Sequence, residues 1–119
     1  MKKFGFVILL LLAALWSCEY ETIVPGEVVV PDGPVSYAEE IAPVFDSQCA
    51  SCHGGATSPD LRLDKSWSEL TSKNLVDTSN PAESIILVKI NSGHASSGNL
   101  SALQKALILK WIEQGALDN

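Results

Sequence analysis

Cys49-Ala50-Ser51-Cys52-His53 is the stretch that most constrains what this chain can fold into. Cysteines three positions apart lie about one helical turn from each other, so both sulfurs can reach one edge of a rigid planar group. A histidine directly after the second cysteine is delivered beneath the centre of that group. These are the requirements of a covalent c-type haem. Cys49 and Cys52 each add to one vinyl group of the porphyrin, and His53 becomes the proximal ligand of its iron.

The chain has 119 residues, enough for one domain. From Ser36 to Asn119 there are only 84 residues, a size at which staples or cofactors help to complete a core. One covalently attached haem c would supply that apolar centre. The formal charge is −6, and from Cys18 onward six Lys and Arg stand against fourteen Asp and Glu. Such an acidic chain lacks a footprint for phosphate backbones, which excludes nucleic acid as a partner class. It favours redox partner proteins with a basic docking face.

Residues 1–17 have the pattern of a lipoprotein signal peptide. Lys2 and Lys3 form a basic start, and Phe4 to Leu15 is an apolar run. That run is too short for a membrane-spanning helix, which needs about 20 residues. Leu15-Trp16-Ser17-Cys18 resembles a bacterial lipobox, with Cys18 as the lipidated residue of an exported, membrane-anchored protein. A plain signal peptide that merely carries a cysteine near its cleavage site is the alternative. Glu19, rather than an aspartate, follows Cys18, which favours the outer membrane, on its periplasmic or cell-surface side. Residues 18–35 read as the lipidated cysteine and an extended tether. Pro25-Gly26 and Pro31-Asp32-Gly33-Pro34 oppose helix there, and Val28-Val29-Val30 could instead form an edge strand. The seventeen residues from Glu19 to Val35 would reach at most about 56 Å.

Residues 36–119 carry helical signals throughout. Ser36 with Glu39 has capping-box spacing, and Tyr37, Ile41, Val44 and Phe45 share one helical face, with Pro43 expected to bend or break the helix. Asp60-Leu61-Arg62-Leu63-Asp64 alternates, so that Leu61 and Leu63 are candidates for contact with a haem edge. Arg62, the only arginine, is a candidate partner for a haem propionate, or else a solvent-facing charge. Ser66 with Glu69 predicts a second cap, and Asn80-Pro81-Ala82-Glu83 a third helix start running on to Ile90. Ser101 with Gln104 predicts a last helix that ends before Gly115 and buries Leu103, Leu107 and Trp111. No strand–helix–strand alternation appears. The expected class is all-α, with about four helices around one covalent haem, preceded by the signal peptide and tether.

Met1 is the only methionine, so the mature chain has no thioether to offer iron. Only two histidines exist, His53 and His94. If His53 is proximal, His94 is the one strong neutral ligand left for the opposite face. His94 could also be a solvent-exposed loop residue, which would leave the iron open or water-bound. A zinc-binding structural module using Cys49, Cys52, His53 and His94 has the right ligand count, although neighbouring Cys52 and His53 cannot easily converge on one ion. A redox-active Cys49–Cys52 pair would want a thioredoxin-like setting, which is missing.

From Tyr37 to Leu117 the chain resembles the single-haem cytochrome c domains of the planctomycete type, class I-like in fold and often found in lipoproteins. The resemblance rests on Cys49 to Gly55, Leu61-Arg62-Leu63-Asp64, Asn80-Pro81-Ala82-Glu83-Ser84, Leu100-Ser101 and Trp111-Ile112-Glu113-Gln114-Gly115-Ala116. In that family the loop before the last helix commonly carries Met-Pro-Pro, whereas this chain has His94-Ala95-Ser96. The resemblance implies a monohaem electron-transfer protein, not an enzyme, acting alone or as a subunit of a larger respiratory or dehydrogenase assembly. The substitution implies a bis-histidine, low-spin haem with a lower potential than a His/Met relative. A haem module with a displaceable distal ligand, acting as a gas or redox sensor or a small-molecule catalyst, is the competing expectation.

Overall fold

The computed structural model describes residues 28–119; the signal-peptide and Cys18 assignments lie outside the described residues. Four α-helices carry the fold: α1 (Ala42–Cys49), α2 (Ser66–Ser72), α3 (Ile85–Asn91) and α4 (Ala102–Glu113). No strand occurs among the described residues, so the class is all-α, and the Val28–Val30 segment is irregular.

The first helical stretch begins as a π-helical turn, Tyr37–Ile41, that runs directly into α1. Proline explains the wide turn. Pro43 has no N–H to give the Glu39 carbonyl, and its ring would collide with that carbonyl in a regular α-turn. The backbone opens instead, and the Ala42 N–H bonds the Tyr37 carbonyl. The predicted break at Pro43 is therefore a π-turn within one continuous helical run. Ser36 caps it as expected, its Oγ accepting from the Glu39 N–H at 3.2 Å. The carboxylate reaching back to the Ser36 N–H belongs to Glu40, not Glu39, at 2.8 Å, in keeping with the widened turn. Tyr37, Ile41, Val44 and Phe45 all point inward, as their spacing requires.

Two predicted caps are not caps. Ser66 lies fully buried at the start of α2, where its Oγ receives the Tyr37 hydroxyl at 2.6 Å. A hydroxyl with a buried tyrosine to satisfy contributes more there than at a solvated helix end. Asn80-Pro81 opens only a 3₁₀ turn, Pro81–Glu83, and α3 starts after Ser84, whose backbone is extended. The Ser84 hydroxyl is turned away from α3, accepting from the Asp77 N–H at 2.8 Å. Asp77 organises this turn itself, since its Oδ1 accepts from the N–H groups of Ser79 and Asn80. Those bonds favour the ionised carboxylate and lower its pKa.

α4 matches its sequence signals closely. Ser101 and Gln104 form the reciprocal capping box, and Gly115 leaves the helix at φ 100°. Its buried stripe is rotated from the predicted one. Ile108, Trp111 and Ile112 are buried, Leu107 is half-buried, and Leu103 is 40% exposed. Trp111 is buried as expected and faces Tyr37 with ring centroids 4.9 Å apart. The Trp111 and Trp67 indoles both donate into the turn after α4, to the carbonyls of Leu117 and Ala116.

The end of the predicted tether is fastened to this layer. Val35 is buried, its N–H bonds the Gln114 side chain, Gln114 in turn donates to the Gly33 carbonyl, and Lys110 donates to that of Pro31. The Asn119 side chain and carbonyl accept from the N–H groups of Tyr37 and Ala38. Residues 31–35 thus form a strap across the end of α4.

Burial pushes the Tyr37 pKa up to about 12, and the charge of Asp118 adds to the shift. An unfolded tyrosine ionises near 10, so the unfolded state sheds this proton first, and stability falls as pH rises from about 10 towards 12. Replacing Tyr37 with Phe should remove that dependence while orphaning Ser66, at a cost of about 1–3 kcal/mol at neutral pH. Between about pH 9 and pH 11 the variant should lose about 1 kcal/mol less stability than wild type in urea unfolding.

Candidate functional site

Cys49 is the last residue of α1, and the chain keeps turning beyond it. The N–H groups of Cys52 and His53 both reach back to the Cys49 carbonyl, at 3.2 and 2.9 Å. Cys49 is thus half-buried under the helix end while Cys52 is exposed. Gly54 makes the exit possible, because a Cβ there would stand 2.7 Å from the Ala50 carbonyl oxygen.

His53 is oriented by a specific acceptor. Its Nδ1 lies 3.0 Å from the Pro59 carbonyl oxygen. A carbonyl only accepts, so Nδ1 carries the proton and Nε2 keeps its lone pair. The loop that presents Pro59 is itself tied down. The Leu61 N–H bonds the His53 carbonyl at 2.7 Å, the Asp60 N–H bonds Glu69 of α2 at 2.9 Å, and Lys73 donates to the Ser58 hydroxyl. Glu69 and Lys73 also pair at 2.8 Å, and the Lys73 ammonium holds the Glu69 carboxyl below its ordinary range. One face of α2 therefore fixes the loop that fixes the imidazole.

A cavity of about 260 Å³ opens beside the motif. Its wall takes Cys49, Cys52 and His53 from the end of α1, Pro59 and Leu61 from the following loop, and Leu75 after α2. α3 contributes Ile85, Ile86, Lys89 and Ile90, and the connection to α4 contributes His94, Ala95, Ser97 and Leu100. The two histidines, 41 positions apart in sequence, meet here with ring centroids 6.1 Å apart and planes tilted by 50°. Two metal–nitrogen bonds of about 2.0–2.1 Å, plus roughly 1.1 Å from each nitrogen to its ring centre, add to about 6.3 Å. The centroid separation is close to that sum. Gly93 at φ 79° and Ala95 at φ 40° flank His94, which projects from a tight bend and is exposed. Among the described residues, no three His, Cys, Asp or Glu side chains converge into a cage for an ion held by protein alone.

The other sequence candidates divide. Leu61 is buried in the cavity wall. Leu63 does not line the cavity, being 55% exposed in a separate surface depression beside Trp67. The alternation that grouped it with Leu61 fails because the backbone turns at this point, with the Lys65 and Ser66 N–H groups bonding the Arg62 carbonyl. Arg62 faces solvent and is engaged by Asp60 at 2.6 Å, and its guanidinium draws the Asp60 carboxyl down to about 2. Three wall features carried no sequence signal: the Pro59 carbonyl, the Lys89 side chain and the Ser97 hydroxyl, which is buried without a partner.

Comparison with protein-family models, curated proteins and solved structures finds no match to this chain. No helix among the described residues is long and apolar enough to cross a membrane.

Burial raises the Cys49 pKa, whereas Cys52 is exposed. In full-length protein produced without haem, iodoacetamide at mildly alkaline pH should alkylate Cys52 several-fold faster than Cys49, read by mass spectrometry of the peptides. Equal rates would contradict the half-buried placement of Cys49.

Proposed function

We propose that this chain is a membrane-tethered, single-haem c-type cytochrome that passes electrons between extracytoplasmic redox partners. The observation that carries this reading is the meeting of His53 and His94 across an apolar cavity whose edge holds Cys49 and Cys52. The resemblance to single-haem cytochrome c domains supports it through the motif and the closing helix, with Cys18 as the lipid anchor. Haem, when bound, supplies a one-electron iron centre with an exposed edge.

The chain's own residues have distinct tasks. Cys49 and Cys52 would hold the ring covalently, each thiol S–H adding across one vinyl C=C to leave a thioether. His53 offers Nε2 to the iron because the Pro59 carbonyl holds its Nδ1 proton. His94 would be the second side chain to hold the iron, a reading supported by the 6.1 Å between the two ring centroids. Leu61, Ile90 and Leu100 are buried and keep water from the interior wall. With two histidines holding the iron, the work would be outer-sphere transfer through a small interface, below about 1,200 Å². The acidic surface favours a partner with a basic face. Arg62 and Leu63 have no part in this scheme.

One observation favours a second reading, a sensor or catalyst with a displaceable distal ligand. His94 is exposed and stands on a short bend. Zinc binding is less well supported, since the cysteines and histidines do not gather into a protein-only cage among the described residues.

The test is the optical spectrum of full-length protein made in a host with haem-attachment machinery. Covalent low-spin haem is expected, and His94→Ala should convert it to high-spin. A spectrum unchanged by His94→Ala would overturn bis-histidine ligation, and rapid carbon monoxide binding by the wild-type ferrous protein would favour the sensor.

A further inference from the structure

His53 and His94 are unequally supported. The Pro59 carbonyl orients His53, whereas no side-chain hydrogen bond holds the His94 ring among the described residues. An imidazole that gives Nε2 to a metal carries its proton on Nδ1, and that proton needs an acceptor to fix the ring.

Ser97 is the residue with an acceptor to offer. It is only 5% exposed, and its Oγ lies buried with no partner. A serine hydroxyl has two lone pairs for acceptance and one proton to donate, and leaving it unpaired in the interior is costly. It lines the same cavity as His94. The Ser97 N–H also bonds the His94 carbonyl at 2.9 Å. A turn closed in this way brings its two end residues to within about 7 Å between Cα atoms. The cavity wall thus places, at the two ends of one turn, an imidazole and a hydroxyl that have no hydrogen-bond partner among the described residues.

We propose that Ser97 is the positioning residue for His94, its Oγ accepting the Nδ1–H when His94 binds iron. This inference rests on the bis-histidine reading above and deepens it. The bond would give His94 the counterpart of the Pro59 contact at His53, so that each imidazole has its own acceptor. It would hold the exposed ring in place on a bend where no other side-chain hydrogen bond to it occurs among the described residues. It would also make His94 more electron-donating, which favours ferric iron.

The experiment uses the full-length, haem-loaded protein and its Ser97→Ala, Ser97→Thr and His94→Ala variants. Readouts are the optical spectrum, the midpoint potential and the rate at which carbon monoxide displaces the distal ligand from ferrous protein. Ser97→Ala is expected to stay low-spin, with displacement faster by about 10–100-fold and a raised potential. Ser97→Thr, which keeps the hydroxyl, is expected to restore both. Wild-type displacement and potential in Ser97→Ala would overturn the proposal, as would changes that threonine fails to reverse, because those would report packing alone. If Ser97→Ala does not load haem, Ser97→Cys takes its place, with faster displacement expected and an unchanged rate overturning the proposal. A high-spin His94→Ala alongside a silent Ser97→Ala removes the serine's role and leaves the ligation intact. A His94→Ala variant that remains low-spin removes the ligation itself.

Discussion

The hydrogen bond from His53 to the Pro59 carbonyl is the contact on which the rest of this structure depends. A histidine after a helix end is free to rotate, and either ring nitrogen can carry its proton. One carbonyl at 3.0 Å removes both freedoms. Much of the surrounding chain holds that carbonyl in place. Glu69 and Lys73 grip the loop from α2, and the Leu61 N–H bonds the His53 backbone from the other side. The helices matter to the site less as walls than as fixed points for a loop of a few residues.

Much of this was legible in the sequence, and the parts that were not share a cause. The helical class, the capping box at Ser101 and the inward face of Tyr37, Ile41, Val44 and Phe45 follow from local spacing, and local spacing is what a sequence displays. The nearness of His53 and His94 fits a reading made by elimination, since the chain has no other histidine and Met1 is its only methionine. Ser66 and Asn80 fit cap positions as words, yet the Ser66 hydroxyl is taken by the buried Tyr37 and Asn80 opens only a 3₁₀ turn. Leu63 alternated with Leu61, but a turn in the backbone sent it to the surface. The Pro59 carbonyl belongs to the main chain, and main-chain acceptors leave no mark on residue identity.

The cavity also shows how a small domain can distribute its apolar groups. Trp111, Phe45, Ile41, Ile108 and Ile112 are fully buried around Tyr37, within or against α1 and α4. The cavity residues Leu61, Leu75, Ile86, Ile90 and Leu100 lie towards α3 and the connections on either side of it. Both sets belong to one buried core, and the second also forms the apolar surface of the cavity. Burial of that second surface by a covalently held ring would add to stability at roughly 25 cal/mol per Å² of apolar area removed from water. Haem loading, if it occurs as proposed, would then be coupled to folding.

The strap at residues 31–35 has a mechanical consequence. Its fastenings are Val35, Gln114, Lys110 and Asn119, and none of them lines the cavity. A pull on the chain ahead of Pro31 would load α4 and the turn beyond it before it reached α1 and the cysteines.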